Sequence, residues 1–252
     1  MDFTDKIVLI TGASRGIGKA TAIAFAERNA TVIVNYHKNK EAAEETLGEL
    51  PGGGHMLYQA DVCDPQSVRE MIEAIVSRYE KLDVVVNNAG LSIFHPIDEV
   101  DFNEWITGWR MTLEMNLIAP ANVCYFAAQQ MIKQGGGRIV NVSSRGAFRG
   151  EPTKPAYGAS KAGLNAMSQS LAKRLAPHNI YVGVVAPGFV ETDMAKETLT
   201  EAELEAVRRE CPLGRIAQPE EVAYAIAFLA SEGAEFSTGA IIDVNGASYL
   251  RS

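Results

Sequence analysis

KIVLITGASRGIGKATAIAFAER, residues 6 to 28, is the stretch from which the rest of this chain can be read. KIVLIT (6–11) is an apolar, β-branched run of the kind that forms a buried strand, and the alanine-rich segment from Gly16 to about Arg28 is helix-forming. Between them, Thr11-Gly12-Ala13-Ser14-Arg15-Gly16-Ile17-Gly18 is a glycine-rich turn that opens directly into the helix. Backbone N–H groups at such a helix start point at bound anions, and glycine lets a pyrophosphate approach the chain closely. The spacing Gly-x-x-x-Gly-x-Gly departs from the commoner Gly-x-Gly-x-x-Gly, and a tight strand-to-helix turn without a ligand is the alternative reading of these glycines alone.

The same rhythm repeats outward from this unit. TVIVNY (31–36) leads into a charged helical stretch from Lys40 to Leu50, and HMLYQA (55–60) into PQSVREMIEAIVSRY (65–79). DVVVNN (83–88) and GRIVNVS (137–143) are separated by a helix-like segment from about Trp109 to Lys133, and IYVGVVA (180–186) and AIIDV (240–244) complete seven strands. Strands that are apolar almost throughout, alternating with helices, are what a sheet buried on both faces requires. The expected fold is therefore a doubly wound, Rossmann-type α/β domain over residues 1–252, with a mostly parallel sheet. Residues 189–219 interrupt the rhythm with a helix expected over ETLTEAELEAVRRE (197–210), placed where a lid over a ligand crevice would sit.

Composition narrows the function. Of 252 residues, 47% are hydrophobic and 21% charged, enough apolar material for a packed core. A formal charge of −8 repels phosphate backbones and anionic membranes, so neither nucleic acid nor membrane is an expected partner. Cys63, Cys124 and Cys211 are odd in number and far apart, which suits a reducing cytoplasm, and the acidic N-terminus lacks an export signal. The histidines are dispersed and no metal site is expected.

An acid about 20 residues beyond the glycine turn usually holds the ribose 2′-hydroxyl of NAD(H). Here the second strand ends Asn35-Tyr36-His37-Lys38, and Arg15 lies in the turn, so cations stand where a 2′-phosphate would need neutralising; NADP(H) is expected over NAD(H). Arg15 and Lys38 as solvated surface charges are the alternative. Ser144 follows the fifth strand, and Tyr157-Gly-Ala-Ser-Lys161 opens a helical pattern reaching about Ala176. Residues four apart share a helix face, and an ammonium beside a phenol stabilises the phenolate, making Tyr157 a candidate proton donor or acceptor. Arg145 and Arg149 lie close behind Ser144; they are candidates for clamping a substrate carboxylate or phosphate, or else pair with Glu151 or face solvent.

In motif order the chain resembles the short-chain dehydrogenase/reductase family almost end to end: Thr11 to Gly18, Asp61-Val62, Asn87-Asn88-Ala89-Gly90, Asn116, Ser144, Tyr157-x-x-x-Lys161 and Pro187-Gly188. The resemblance implies that Tyr157 exchanges the proton, Ser144 hydrogen-bonds the substrate oxygen, Lys161 holds the nicotinamide ribose and lowers the tyrosine pKa, and Asn116 supports a water relay. It assigns Asp61 and Val62 to adenine, Asn88, Ala89 and Gly90 to the adenosine side, and Pro187 through Thr192, including Gly188 and Val190, to the nicotinamide carboxamide. Ser143 is one residue off the family spacing and is expected to be structural. Capping by Asp61 and strand-end pairing by Asn87 and Asn88 remain the alternatives for those residues.

Cys211 to Val222 and Gly239 to Gly246 resemble 3-oxoacyl-[acyl-carrier-protein] reductases and their relatives, which include sugar-alcohol and small-ketone dehydrogenases. The stretch before Asn116 is a few residues longer than usual for that group, and Gly246-Ala247 replaces a frequent glycine pair. If an acidic carrier protein docks, Lys133, Arg138, Lys173 and Arg174 are the candidate basic patch; solvated helix and strand ends are the alternative reading of these charges. Members of the family are commonly homotetramers. A cofactor-binding sensor without turnover is the alternative of another class.

Overall fold

The computed structural model describes residues 1–192 and 201–251. Its strands are β1 (Ile7–Ile10), β2 (Thr31–Tyr36), β3 (Met56–Gln59), β4 (Val84–Asn87), β5 (Gly137–Val142), β6 (Ile180–Pro187) and β7 (Ile241–Val244). Among the described residues they form one seven-stranded sheet in the order β3-β2-β1-β4-β5-β6-β7. Every pairing is parallel, with no antiparallel edge. All seven expected strands are present: β2 has its expected bounds, β6 runs one residue further, and the other five are one or two residues shorter.

Alternation explains why the strands are apolar along their whole length. Val8 and Ile10, Val84 and Val86, and Val140 and Val142 join one core with Phe25, Val222 and Ile226. Their neighbours Ile7, Leu9, Val85 and Ile139 join a second core with Met71, Ile75, Val123 and Met131. Successive side chains of a strand point to opposite faces, so both faces of the sheet are dry. The first face is covered by α1 (Gly16–Ala26) and a helix near the C-terminus, Pro219–Ala230; the second is covered by α3 (Pro65–Tyr79) and α5 (Ala119–Gln134). Helix α2 (Lys40–Glu49) follows β2.

One expected helix is built differently. In place of a helix starting near Trp109, α4 runs Phe102–Leu113, a π-turn occupies Glu114–Ile118, and α5 follows. The early start is set by a reciprocal cap, in which Asp101 accepts from the Glu104 N–H and Glu104 accepts from the Asp101 N–H. The π-turn falls just ahead of Pro120, which has no N–H to donate to the helical ladder. Asn116 lies inside that turn.

A short α6 (Gly146–Arg149) precedes α7 (Pro155–Leu175), and α8 (Glu201–Glu210) precedes α9 (Pro219–Ala230). The helix expected over 197–210 is thus described from Glu201, and residues 193–200 lie outside the described residues. The segment containing α8 leaves and returns at one place: Val190 bridges Ala217, the Glu191 N–H donates to the Ala217 carbonyl, and the Ala217 N–H donates to that of Phe189.

Candidate active site

β1 has β2 on one side and β4 on the other, so the sheet order reverses between β1 and β4. At such a switch point the connections leave in opposite directions and open a crevice beyond the carboxyl ends of the strands. The glycine turn lies there. Gly12 has φ +62°, and a Cβ on it would come within 3.0 Å of the Ala89 Cα. A Cβ on Gly18 would collide with the Gly12 carbonyl oxygen and the Asn88 side chain. The turn is strapped to β4: Asn88 Nδ2 donates to the carbonyls of Thr11 and Gly12, each at 3.0 Å, and Thr11 Oγ1 accepts from the N–H groups of Asn88 and Ala89. Helix α1 begins at Gly16 with no side-chain cap and no acid in its first turn, leaving its first N–H groups and positive dipole end suited to an anion. Thr192 overhangs the turn, 3.2 Å from the position a Gly16 Cβ would take. The backbone carbonyl of Ser14 is held by Thr46 Oγ1, and Ile17 packs on the core.

The structure separates the residues at the end of β2. His37 and Lys38 are exposed, and His37 Nε2 is 3.7 Å from Asp61 Oδ2. Asn35, expected at the cofactor, is instead 2% exposed. Its Oδ1 accepts from the Gly12 N–H at 3.3 Å and its Nδ2 donates to the Ala60 carbonyl at 3.2 Å. It holds the glycine turn from within, because inward-pointing strand positions face the dry side of the sheet. Asp61 accepts from the Cys63 N–H, while Asp64 caps α3, and Val62 is buried.

Tyr157 stands in the first turn of α7 with Lys161 one turn further, its Nζ 5.8 Å from the Tyr157 ring centroid. The Ser144 hydroxyl, which accepts from the Gly146 N–H at 3.0 Å, neighbours the phenol and favours its ionised form. Gly90 lies between Asn116 and Lys161: a Cβ on it would be 3.2 Å from Asn116 Oδ1 and 3.6 Å from Lys161 Nζ. Asn116 is fixed by two bonds with the backbone of Leu91, each 2.9 Å. Ser143 donates to the Lys161 carbonyl, a structural bond. The geometry therefore brings Asn116, Ser144, Tyr157 and Lys161 to one place at the carboxyl end of the sheet.

The electrostatics differ from the expected phenolate stabilised by Lys161. Burial pushes the Tyr157 hydroxyl above its ordinary value, with the Ser144 hydrogen bond opposing this and the Glu151 carboxylate adding to it. Lys161, 5% exposed, is itself brought down to about 8 by burial, and its Nζ donates to the Val142 carbonyl at 2.9 Å. Desolvation is the largest cause of the shift at both groups.

Pro187 ends β6, its carbonyl accepting from the Arg145 N–H, and the Gly188 N–H donates to the Val244 carbonyl; Val190 is buried. Arg145 is not open to a substrate anion. Its guanidinium, 4% exposed, donates to Glu210 Oε2 and Ser248 Oγ, each at 2.6 Å, and stacks on Phe189. Arg149 donates to the same Glu210 oxygen at 3.2 Å and lies 3.6 Å from Glu151. Both arginines thus hold an internal carboxylate from α8, a partner 65 residues from Arg145 that no local spacing announces. A cavity of about 120 Å³ is lined by Arg145, Phe189, Val207, Leu213 and Asn245 among others, and none of Asn116, Ser144, Tyr157 and Lys161 lines it.

The proposed docking cations also fall in the wrong place. Lys173 and Arg174 are in the last turn of α7, about 18 Å along the helix from Lys161 at 1.5 Å per residue. Lys133 ends α5, and Arg138 starts β5, where it pairs with Glu235 and stacks on Tyr181. All four mark the amino end of the sheet, opposite the crevice. Among the described residues no helix is long and apolar enough to cross a membrane, and no cluster of metal-ligand side chains is found.

A parallel sheet with a glycine turn at its switch point, together with a serine, tyrosine and lysine gathered at the same end, is the arrangement of a nucleotide-dependent oxidoreductase. The profile of the family described as Enoyl-(Acyl carrier protein) reductase matches residues 12–247. The chain is 41% identical over 251 residues to the 3-oxoacyl-[acyl-carrier-protein] reductase of Thermotoga maritima, covering 98% of each. It is 38% identical over 247 residues to a protein of the same name from Staphylococcus aureus, covering 97% of this chain and 98% of that one. The L-rhamnose 1-dehydrogenase (NAD(P)(+)) of a Sphingomonas species is 37% identical over 254 residues, covering 97% of this chain and 96% of that one. The chain belongs to the short-chain dehydrogenase/reductase family, and it is an oxidoreductase acting on CH–OH or carbonyl groups.

Proposed function

We propose that this protein is a cytoplasmic, NADP(H)-dependent reductase of 3-oxoacyl thioesters, the acyl group being presented on an acyl carrier protein. The observation that carries the reaction type is the buried Lys161 amine 5.8 Å from the Tyr157 ring centroid, one helical turn along α7, with Ser144 neighbouring the phenol. The names of the Thermotoga and Staphylococcus relatives support the substrate class. The missing acid at the end of β2, together with Arg15, His37 and Lys38, supports the 2′-phosphate.

The residues present fit a dinucleotide: a Cβ would fill the cradle at Gly12 and Gly18, and the uncapped start of α1 offers N–H donors to a pyrophosphate. Gly12 to Gly18 would hold the phosphates, Asp61 and Val62 the adenine, Asn88 to Gly90 the adenosine side, Lys161 a ribose, and Pro187 to Thr192 the carboxamide. When bound, a nicotinamide supplies the hydride to a carbonyl carbon or accepts one from an alcohol carbon. In reduction, Ser144 Oγ donates a hydrogen bond to the carbonyl oxygen, and Tyr157 Oη gives that oxygen its proton as negative charge gathers there. Lys161, brought down to about 8, gives up a proton readily near neutral pH and can restore one to Tyr157 through water held beside Asn116.

The Sphingomonas relative supports a second reading, a dehydrogenase of a sugar or other small polar alcohol. A cofactor-binding sensor would not need Asn116, Ser144, Tyr157 and Lys161 gathered together. Exposed apolar side chains on α4 and α5 (Met111, Tyr125) and on α9 (Tyr224, Phe228) support self-association, for which we propose a homotetramer.

The test assays β-ketoacyl thioesters, ketosugars and small ketones with NADPH and with NADH. The expected result is turnover of the thioesters with NADPH, lost in Tyr157→Phe while NADPH still raises the Tm. Faster turnover of a sugar would replace the thioester reading, and full activity in Tyr157→Phe would refute the mechanism. Arg15→Ala is expected to raise the KM for NADPH at least tenfold more than that for NADH; equal changes would refute the 2′-phosphate assignment.

A further inference from the structure

Helix α7 carries both Tyr157 and Lys161, yet its N-cap residue, Lys154, makes no side-chain cap. The first N–H groups of a helix have no partner within it, and Tyr157 sits in that first turn. A side chain from far off in the sequence fills the gap. His95, 1% exposed, accepts at Nε2 from the Ala156 N–H at 3.4 Å, and its Nδ1 lies 2.8 Å from the Ile93 carbonyl oxygen. An amide N–H only donates and a carbonyl only accepts, so these partners select the tautomer with its proton on Nδ1.

The rest of the residue is held as firmly. The His95 N–H donates to the Thr153 carbonyl at 2.9 Å. Its ring lies flush against Gly108 of α4, where a Cβ would come within 3.0 Å of the His95 Cγ, and its centroid is 5.6 Å from that of Trp105. His95 thus joins three pieces of chain: the connection following β4, whose Leu91 is bound by Asn116; helix α4; and the start of α7.

We infer that His95 is a positioning residue, a remote N-cap that fixes the first turn of α7 and with it the direction of the Tyr157 phenol toward Ser144. The inference rests on the reading of Tyr157 as the proton donor. Tyr157 directly follows Ala156, so loosening of that turn moves the phenol relative to the Ser144 hydroxyl, and ångström-scale misplacement of a reacting group costs up to about 100-fold in rate.

The test compares His95→Leu with His95→Gln. Leucine fills the space without accepting a hydrogen bond; the glutamine amide oxygen can accept one near the Nε2 position. His95→Leu is expected to lower kcat about tenfold or more, with the NADPH Kd, read by fluorescence, within about twofold of wild type. His95→Gln is expected to restore kcat to within about threefold of wild type. Unchanged kcat in His95→Leu, or His95→Gln falling as low, would overturn the inference. Should the leucine variant not fold, ¹⁵N spectra and amide exchange of the wild type decide: an unprotonated Nε2, a protonated Nδ1 and a protected Ala156 amide are expected. The opposite tautomer or a rapidly exchanging Ala156 amide overturns it. These signals need no turnover, so a wild type inactive on every carbonyl compound would refute the functional reading separately.

Discussion

Replacing Lys161 with methionine should make the protein more stable while removing its activity. Lys161 is 5% exposed, and burial brings it from 10.5 to about 8. At about 1.4 kcal/mol per pH unit, keeping the proton on this buried amine at pH 7 costs about 3 kcal/mol. Methionine keeps the apolar stem and discards the charge, but it leaves the Val142 carbonyl without its donor, a loss of about 1 kcal/mol. The net gain is about 2 kcal/mol, which for a chain of this size raises Tm by about 4–8 °C. Because the folded-state pKa lies below the unfolded value, the unfolded chain binds more protons between about 8 and 10.5, and wild-type stability rises with pH across that window. The advantage of Lys161→Met is therefore full below about pH 8, shrinks as the pH rises, reaches zero near about pH 10 and reverses above it, where the lost Val142 bond outweighs the remaining cost of the charge. Urea melts of both proteins without cofactor, at neutral pH and in steps up to about pH 10, measure it. A variant less stable than wild type at pH 7, or a difference independent of pH, would refute the reasoning.

Two further substitutions probe the frame of the site. Gly18→Ala should force the glycine turn off the Gly12 carbonyl and the Asn88 side chain, lowering stability by about 1–3 kcal/mol and weakening NADPH binding at least tenfold by calorimetry; wild-type affinity would contradict the close-approach argument. Glu210→Gln removes the charge facing the 4%-exposed Arg145 guanidinium, with an expected loss of about 1–3 kcal/mol and faster tryptic cleavage at Arg208 and Arg209; an unchanged digestion rate would show that Arg145 and Arg149 do not anchor α8.

Much of this protein was legible in local sequence because its determinants are local. The apolar runs at β1, β4 and β6, the glycine turn, and the four-residue spacing of Tyr157 and Lys161 each express a backbone period or a short-range steric rule, and these fix the element types and the face on which side chains lie. Helix α3 was read with its boundaries, since Pro65 follows its cap. The reading of one helix from about Trp109 missed both the Asp101–Glu104 cap and the π-turn, which depends on how Pro120 is accommodated next to Asn116.

What the sequence could not supply is which distant groups meet. Asn35 reads as a ligand contact by position and proves to be a buried strut because β2 lies beside β1 under the Gly12 N–H. Arg145 and Arg149 read equally as a substrate clamp or as partners of Glu151 until α8 brings Glu210 to them, and Lys173 reads as a docking cation or a solvated helix end until α7 carries it to the other end of the sheet. The sequence determined the elements and put forward the groups proposed to react. The tertiary structure decided which charges are already paired, how far Lys161 is desolvated, and that His95 meets the first turn of α7, because pairing and desolvation depend on distances that chain separation does not encode.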